Sequence, residues 1–349
     1  MDREQEEMQF LGMFGVYKES YKIIIAWRRI FSQITLSLIL PLALVFLAEK
    51  EFSNLLLSNI IRSEIQLDMT PAGANSRRSK IHGVLTSEWT YFWLLKAAYF
   101  TFLLIFSLLS TAAVVFTVAS LYTSRRDLSF RKVITVVVPK VWKRLILTFL
   151  CYFLFIFAYN FVAFLLFVVT VVTLATAPVG DYVFPILLVL YFAGFLYATV
   201  VWQLASVISV LEEDARGFRA MSKSRALMKG KTWLAVLIFF KLNFTFGAIQ
   251  VMFDRFVVHH RSNLGPTGRA AVGVVSLLLL LKVFLFGLVV QTVLYFVCKS
   301  YHHESIDKSA LSEHLEGYLG DYVPLKSKDV QMEQYLEEDD ENVDVHGRV

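Results

Sequence analysis

Three lysines lie inside long apolar runs: Lys96, Lys241 and Lys282. A charge at bilayer depth costs roughly 2.5–3.5 kcal/mol or more, so each of these lysines is a functional candidate by default. The sequence offers no acid deep enough in the apolar runs to pair with them, and Lys96 is near enough to the start of its run for its ammonium to reach the interface. The predicted intramembrane polar site consists of Lys282, Lys241, Asn243 and Gln291. For Lys282, a structural polar contact and a solute or lipid-headgroup site both remain open.

Basic residues also line short amphipathic segments beside the apolar runs. From Phe130 to Leu145 the apolar residues recur at i, i+3, i+4, i+7, i+8, i+11 and i+15, which is one face of a helix. Weaker stripes run through residues 10–24 and 218–228. Because charges flank an apolar face close to the spans, we expect these segments to lie on anionic lipid. The predicted headgroup contacts are Arg131, Lys132, Lys140, Lys143, Arg144, Arg219, Lys223, Lys229 and Lys231.

Catalytic and metal chemistry have no matching residue pattern. Nucleophilic or acid–base catalysis needs Ser/His/Asp, Cys/His or paired carboxylates that converge, and no such set falls at one depth on one face. The histidine pairs at 259–260 and 302–303 are adjacent in sequence, whereas helical metal ligands need a spacing of three or four residues. We therefore expect no enzyme, no cofactor, no metal site and no nucleic-acid partner.

The apolar runs themselves predict the fold. Of the 349 residues, 56% are apolar and the mean hydropathy is +0.58, which exceeds the share usual in soluble chains. About 20 apolar residues cross a hydrocarbon core of roughly 30 Å. The expected fold is an all-α, polytopic membrane bundle of about six transmembrane helices with interfacial amphipathic helices. The predicted spans are 30–48, 91–121, 145–175, 183–211, 233–258 and 270–298, with a long outer loop at 49–90.

Lysine and arginine set the expected orientation. The segment before the first span has five, the 122–144 connection seven and the 212–232 connection six, whereas the opposite connections have few for their length. By the positive-inside bias, both termini face the cytoplasm. The host membrane is expected to be that of the endoplasmic reticulum, the secretory pathway or the plasma membrane.

An internal repeat organises the predicted elements. Trp27-Arg28-Arg29, Trp142-Lys143-Arg144 and Lys231-Thr232-Trp233 each lead into a span, which suggests three copies of an interfacial helix, a span and a return span. Aromatic-basic anchoring at membrane edges is the alternative explanation. The predicted domains are a cytoplasmic segment at 1–29, a membrane domain at 30–298 and a tail at 299–349. The tail has seven acids and no base between residues 331 and 344, so it is expected to be disordered after 326 and to offer a surface to a cytosolic partner.

Two resemblances accompany this interpretation. The stretch Gly217-Phe218-Arg219-Ala220-Met221-Ser222-Lys223-Ser224-Arg225-Ala226-Leu227-Met228-Lys229-Gly230-Lys231-Thr232-Trp233 resembles the cytoplasmic motif of the membrane domain attached to some glycerophosphodiester phosphodiesterases. The catalytic barrel of those enzymes is absent, so their activity does not carry over. The opening residues 1–12 and the stretch 100–110 resemble a plant family of uncharacterised multi-span membrane proteins. That likeness covers nearly the whole chain and implies the same topology and a plant source.

Two functions are therefore compared. The first is a non-enzymatic membrane protein that binds or organises lipid through its basic segments. The alternative is a carrier or channel for a small solute that uses intramembrane polar residues. The oligomeric state is left open by the sequence.

Overall fold

The computed structural model describes residues 8–70, 75–122, 130–174, 180–212, 214–258 and 265–302. The chain divides into two units, Met1–Ile306 and Asp307–Val349, and all described residues belong to the first. The predicted acidic tail thus lies outside them. Every regular element in the described part is helical: α1 Met13–Ala26, α2 Arg28–Asp68, α3 Asn75–Tyr122, α4 Phe130–Leu174, α5 Gly180–Leu211, α6 Phe218–Leu227, α7 Thr232–Val258 and α8 Pro266–Tyr301.

Six of these helices, α2, α3, α4, α5, α7 and α8, are long and apolar enough to cross a membrane. Their outward faces are apolar and exposed, as at Phe157, Phe164 and Leu188. Exposed side chains of this kind are stable only against hydrocarbon, while the helical hydrogen bonds satisfy the backbone. The protein is therefore a polytopic membrane helical bundle, and the predicted fold class is confirmed.

The predicted outer loop at 49–90 is wrong for most of its length. Helix α2 continues to Asp68 and α3 already begins at Asn75, and the two pack against each other. They have 41 and 48 residues, whereas about 20 residues cross the hydrocarbon. The charges after residue 48 predict the end of the span, but charged residues are good helix formers once the helix has left the lipid.

The spans form three hairpin pairs, α2 with α3, α4 with α5, and α7 with α8. The three return helices α3, α5 and α8 also pack on one another in the middle of the bundle. Their last turns are almost entirely buried, for example at Phe116, Ile208 and Phe296. We call the end of the bundle where α3, α5 and α8 finish the basic end.

Each basic segment packs on the return helix of another unit. Helix α1 contacts α8, the first turns of α4 contact α3, and α6 contacts α5. The first turns of α4 and helix α6 therefore each pack on the return helix that comes before them in sequence. Helix α1 completes the cycle by packing on the last return helix, α8. This arrangement follows the predicted threefold repeat of surface helix plus span hairpin.

The apolar stripe from Phe130 to Leu145 faces the protein and not the bilayer surface. Val133 and Val141 are fully buried and Leu145 is 1% exposed. The stripe is continuous with the span, because α4 passes without interruption from Phe130 through a π-helical turn at Val133–Val137 into the membrane helix. The N-terminal stripe behaves differently: Phe10, Phe14 and Tyr21 are exposed.

Two of the π-helical turns precede a proline by the same spacing. The turns at Thr35–Ile39 and Val133–Val137 are followed by Pro41 and Pro139. Proline has no N–H to donate to the carbonyl four residues earlier, and such gaps are commonly absorbed by a π turn. Both prolines therefore adjust a helix without ending it.

Candidate functional site: the basic end and an intramembrane polar pocket

The exposed charge of the basic end is almost entirely positive. In the described parts of the segments 8–30, 130–144, 211–232 and 299–302, Asp214 is the one exposed acid. Glu19 is buried, and Glu212 is engaged in a polar cluster described below. The exposed bases are Lys18, Lys22, Arg28, Arg29, Arg131, Lys140, Lys143, Arg216, Arg219, Arg225 and Lys229. This end can therefore attract anions over a wide area.

The predicted headgroup residues differ in their exposure and in their contacts. Arg131, Lys140, Lys143, Arg219 and Lys229 are exposed, whereas Arg144 is half-buried. The side chain of Lys132 lies outside the described residues. The other two, Lys223 and Lys231, face protein partners: Lys223 pairs with Glu212, and the Lys231 ammonium lies 5.2 Å from the centroid of the Tyr301 ring.

Glu212 ties three elements together at the end of α5. One carboxylate oxygen lies 2.7 Å from the Lys223 ammonium. The other accepts a hydrogen bond of 2.8 Å from the Tyr295 hydroxyl and lies 3.9 Å from the Lys299 ammonium. Sequence reasoning missed this cluster. Its one signal was the acidic run Glu212-Glu213-Asp214 directly after a span.

A second hydrogen-bonded group holds α4, α5 and α6 together. The Thr148 and Ser209 hydroxyls are 2.7 Å apart, and the backbone N–H of Gly217 donates to Thr148 Oγ1 over 2.9 Å. Ser224 donates from α6 to the backbone oxygen of Val201 over 2.9 Å. These buried bonds fix α6, and with it Arg219 and Arg225, against the bundle.

Lys96 has an acidic partner, contrary to the expectation from sequence. Its ammonium pairs with Glu49 of α2 and lies 5.3 Å from the centroid of the Phe92 ring. Glu49 is 8% exposed. The sequence pattern does not reveal the pair, because Glu49 lies just beyond the predicted end of the first span at residue 48. It links α2 to α3 on the side opposite the basic end.

The structure separates the four residues of the predicted intramembrane site. Lys282 is exposed on α8 and does not line the pocket described next. Lys241 is exposed as well, with its ammonium 5.8 Å from the centroid of the Phe14 ring on α1. A cation over an aromatic face is a favourable structural contact. Lys282 and Lys241 thus lie apart from the pocket that the other two predicted residues line.

Asn243 and Gln291, in contrast, line one pocket of about 240 Å³. Residues of α2, α3, α5, α7 and α8 form its walls. The Gln291 side chain is 1% exposed, and its Nε2 has no hydrogen-bond partner among the described residues. Asn243 is exposed and donates from Nδ2 to the backbone oxygen of Phe239 over 2.9 Å. The pocket therefore extends from the outside of α7 to the buried amide.

Helix α1 is held against α7 and α8 by a tyrosine. The Tyr17 ring lies 5.5 Å from that of Phe286, and its hydroxyl donates to the backbone oxygen of Ile238 over 3.3 Å. Burial raises the pKa of Tyr17 above its ordinary value, so the hydroxyl stays a donor at neutral pH. The contact keeps the exposed Lys18 and Lys22 beside the spans.

A family model described as a domain of unknown function matches residues 1–335, nearly the whole chain. No curated protein and no solved structure is similar to the chain.

Proposed function

Because the chain belongs to the family of the domain of unknown function DUF8558, we propose a function from its own geometry: a non-enzymatic membrane protein that binds anionic lipid headgroups at its basic end. Both termini and the basic end face the cytoplasm. The acidic tail is available to a cytosolic partner. The observation that carries the proposal is the set of exposed bases at or just before the first turns of α2, α4 and α7.

The position of these bases favours lipid over other anions. Arg28 and Arg29 open α2, Lys140 and Lys143 lie in the first turns of α4, and Lys229 comes just before α7. Residues at the ends of spans are at headgroup level, where each Lys or Arg contributes about 1 kcal/mol of attraction to an anionic leaflet. A nucleic acid would need to approach the same residues through the bilayer surface.

Rigid placement supports the same function. Helix α6 is fixed by Gly217, Ser224 and the Lys223–Glu212 ion pair, so Arg219 and Arg225 keep constant positions relative to the spans. Charges that are held in place lose less side-chain and backbone entropy on binding than charges on a free loop. The basic end therefore acts as a preformed surface for several headgroups.

The test uses purified full-length protein in detergent micelles with fluorescent phosphatidylserine as the probe. One variant reverses five exposed bases: R131E, K143E, R219E, R225E and K229E. Its control reverses four exposed bases at the far end, R62E, R77E, R78E and K80E. We expect at least tenfold weaker binding in the first variant, wild-type binding in the second, and a salt-dependent affinity for the wild type. Equal binding by wild type and first variant would remove the proposal.

A further inference from the structure

The pocket at Gln291 lies at a boundary along the bundle. The return helices change from partly exposed to buried at Leu108 in α3, Ala198 in α5 and Val289 in α8. The pocket lies beside the same levels, since Ser110, Gln203 and Gln291 all line it. On one side of this level the spans expose apolar side chains, and on the other the return helices are enclosed by protein. The pocket therefore lies inside the bundle, enclosed by protein on the basic side and bordered by exposed apolar side chains on the other.

The polar groups of the pocket are all uncharged. The hydroxyls of Ser110, Thr111 and Ser206 donate to backbone oxygens of their own helices over 2.6, 2.9 and 2.7 Å. Their oxygens can still accept a hydrogen bond. No charged side chain lines the pocket, so an ionic ligand would lose its hydration without a counter-charge.

Gln291 supplies the missing donor. Its Nε2 is buried without a partner in the described part of the chain, and an unpaired buried amide is unfavourable. The volume of about 240 Å³ is large enough for several waters or for a small polar group. A ligand with hydroxyl groups would satisfy both the Gln291 donor and the hydroxyl acceptors of the pocket. A hydroxyl can accept a hydrogen bond from Gln291 and donate one to a serine or threonine oxygen.

We propose that this pocket binds the uncharged, hydroxyl-bearing headgroup of a neutral lipid such as a diacylglycerol, with the acyl chains lying along the exposed apolar faces of the spans. A free polyol shares the headgroup chemistry. The opening of the pocket favours the lipid over the free polyol. Exposed Asn243 and half-exposed Phe246 both line the pocket, so it opens toward hydrocarbon. The site shares no residue with the basic end, so either proposal can fail alone.

The experiment is photo-crosslinking of full-length protein in nanodiscs with a diazirine-bearing diacylglycerol. The readout is the labelled peptide and the concentration of unlabelled competitor that halves labelling. We expect labelling of residues near Gln291, displacement by diacylglycerol, and no displacement by phosphatidylserine or by free glycerol in large excess. Displacement by glycerol at concentrations similar to diacylglycerol would overturn the lipid assignment.

Variants test the role of the amide. Gln291→Leu removes the donor, and we expect about tenfold weaker labelling. The matched control is Gln250→Leu, an intramembrane glutamine of α7 outside the pocket, which should label like the wild type. If Gln291→Leu does not elute as a folded protein, Gln203→Leu at the half-exposed wall replaces it, with the same expectation. Unchanged labelling in the folded variant would overturn the proposal.

Discussion

Tyr295 of α8 and Glu212 at the end of α5 are joined by a hydrogen bond of 2.8 Å from the tyrosine hydroxyl to the carboxylate. Tyr295 is 2% exposed, so this bond connects the central packing of the return helices to the charged surface of the basic end. The same carboxylate holds Lys223 of α6. Glu212, at the end of the return helix α5, thus contacts both the surface helix α6 and the last span α8.

Replacing that acid should destabilise the bundle. Glu212→Gln keeps the shape but removes the negative charge that faces the Lys223 and Lys299 ammoniums. Charged hydrogen bonds contribute about 1.5–3 kcal/mol, so we expect a loss of about 2 kcal/mol and a lower Tm in detergent. The control Asp214→Asn changes an exposed acid two residues away and should leave Tm unchanged. Equal Tm values for both variants would show that Glu212 is a solvated acid only.

The Glu49–Lys96 pair should be coupled energetically. Removing one partner leaves the other charge in a poorly hydrated place, so Glu49→Gln and Lys96→Met should each lower stability by about 1–3 kcal/mol. The double variant should lose less than the sum of the two, and a double-mutant cycle of thermal unfolding measures the difference. Lys282→Met is the control, because Lys282 is an exposed lysine of α8 that is not part of the Glu49–Lys96 pair. Additive losses would contradict the pairing.

Gly217 is expected to tolerate no side chain. Its φ is +56°, in the region that favours glycine, and an added Cβ would lie 2.9 Å from Cys151 Sγ. Gly217→Ala should lower stability by about 1–3 kcal/mol. Gly247→Ala is the comparison, because a Cβ there meets nothing within 4 Å and helical alanine is favoured over glycine. A Gly217→Ala protein as stable as Gly247→Ala would contradict the described contact.

The orientation can be tested with an impermeant maleimide. In a Cys151→Ser background, Lys143→Cys places a thiol at the basic end and Arg77→Cys one at the far end of α3. We expect Lys143→Cys to react once the plasma membrane alone is permeabilised, and Arg77→Cys not to gain reactivity at that step, because the basic end faces the cytosol. Labelling of Lys143→Cys in intact cells would reverse the proposed topology.

The sequence predicts the spans well because run length is a direct consequence of bilayer thickness. It predicts their ends poorly. Glu49 predicts the end of the first span because an unpaired charge is excluded from lipid. Its partner Lys96 is 47 residues away, so a local pattern does not show the pair. The same limitation applies to Glu212, whose partner Tyr295 is 83 residues away.

The candidate site was predictable in part. Gln291 and Asn243 were selected for their polar type at depth, and they line the same pocket. Lys282 was selected by the same rule and lies outside it, because periodicity does not distinguish a lipid-facing side of a uniformly apolar helix from an inward one. Ser110 and Ser206 gave no signal, since small hydroxyl residues are common in spans and bond to their own helices.

The cyclic packing of surface segments on preceding return helices has a consequence for synthesis. Helix α1 precedes the other described helices in the chain, but Val16 and Ile23, which are fully buried, belong to a helix that packs on α8, the last of the six spans. Its docking partner does not exist until almost every other helix has been inserted. Until then we expect α1 to bind the membrane interface through Phe14 and Tyr21, which are exposed in the folded protein. The contact between α1 and α8 therefore cannot form before the last span has been made, and it joins helices from opposite ends of the bundle in sequence.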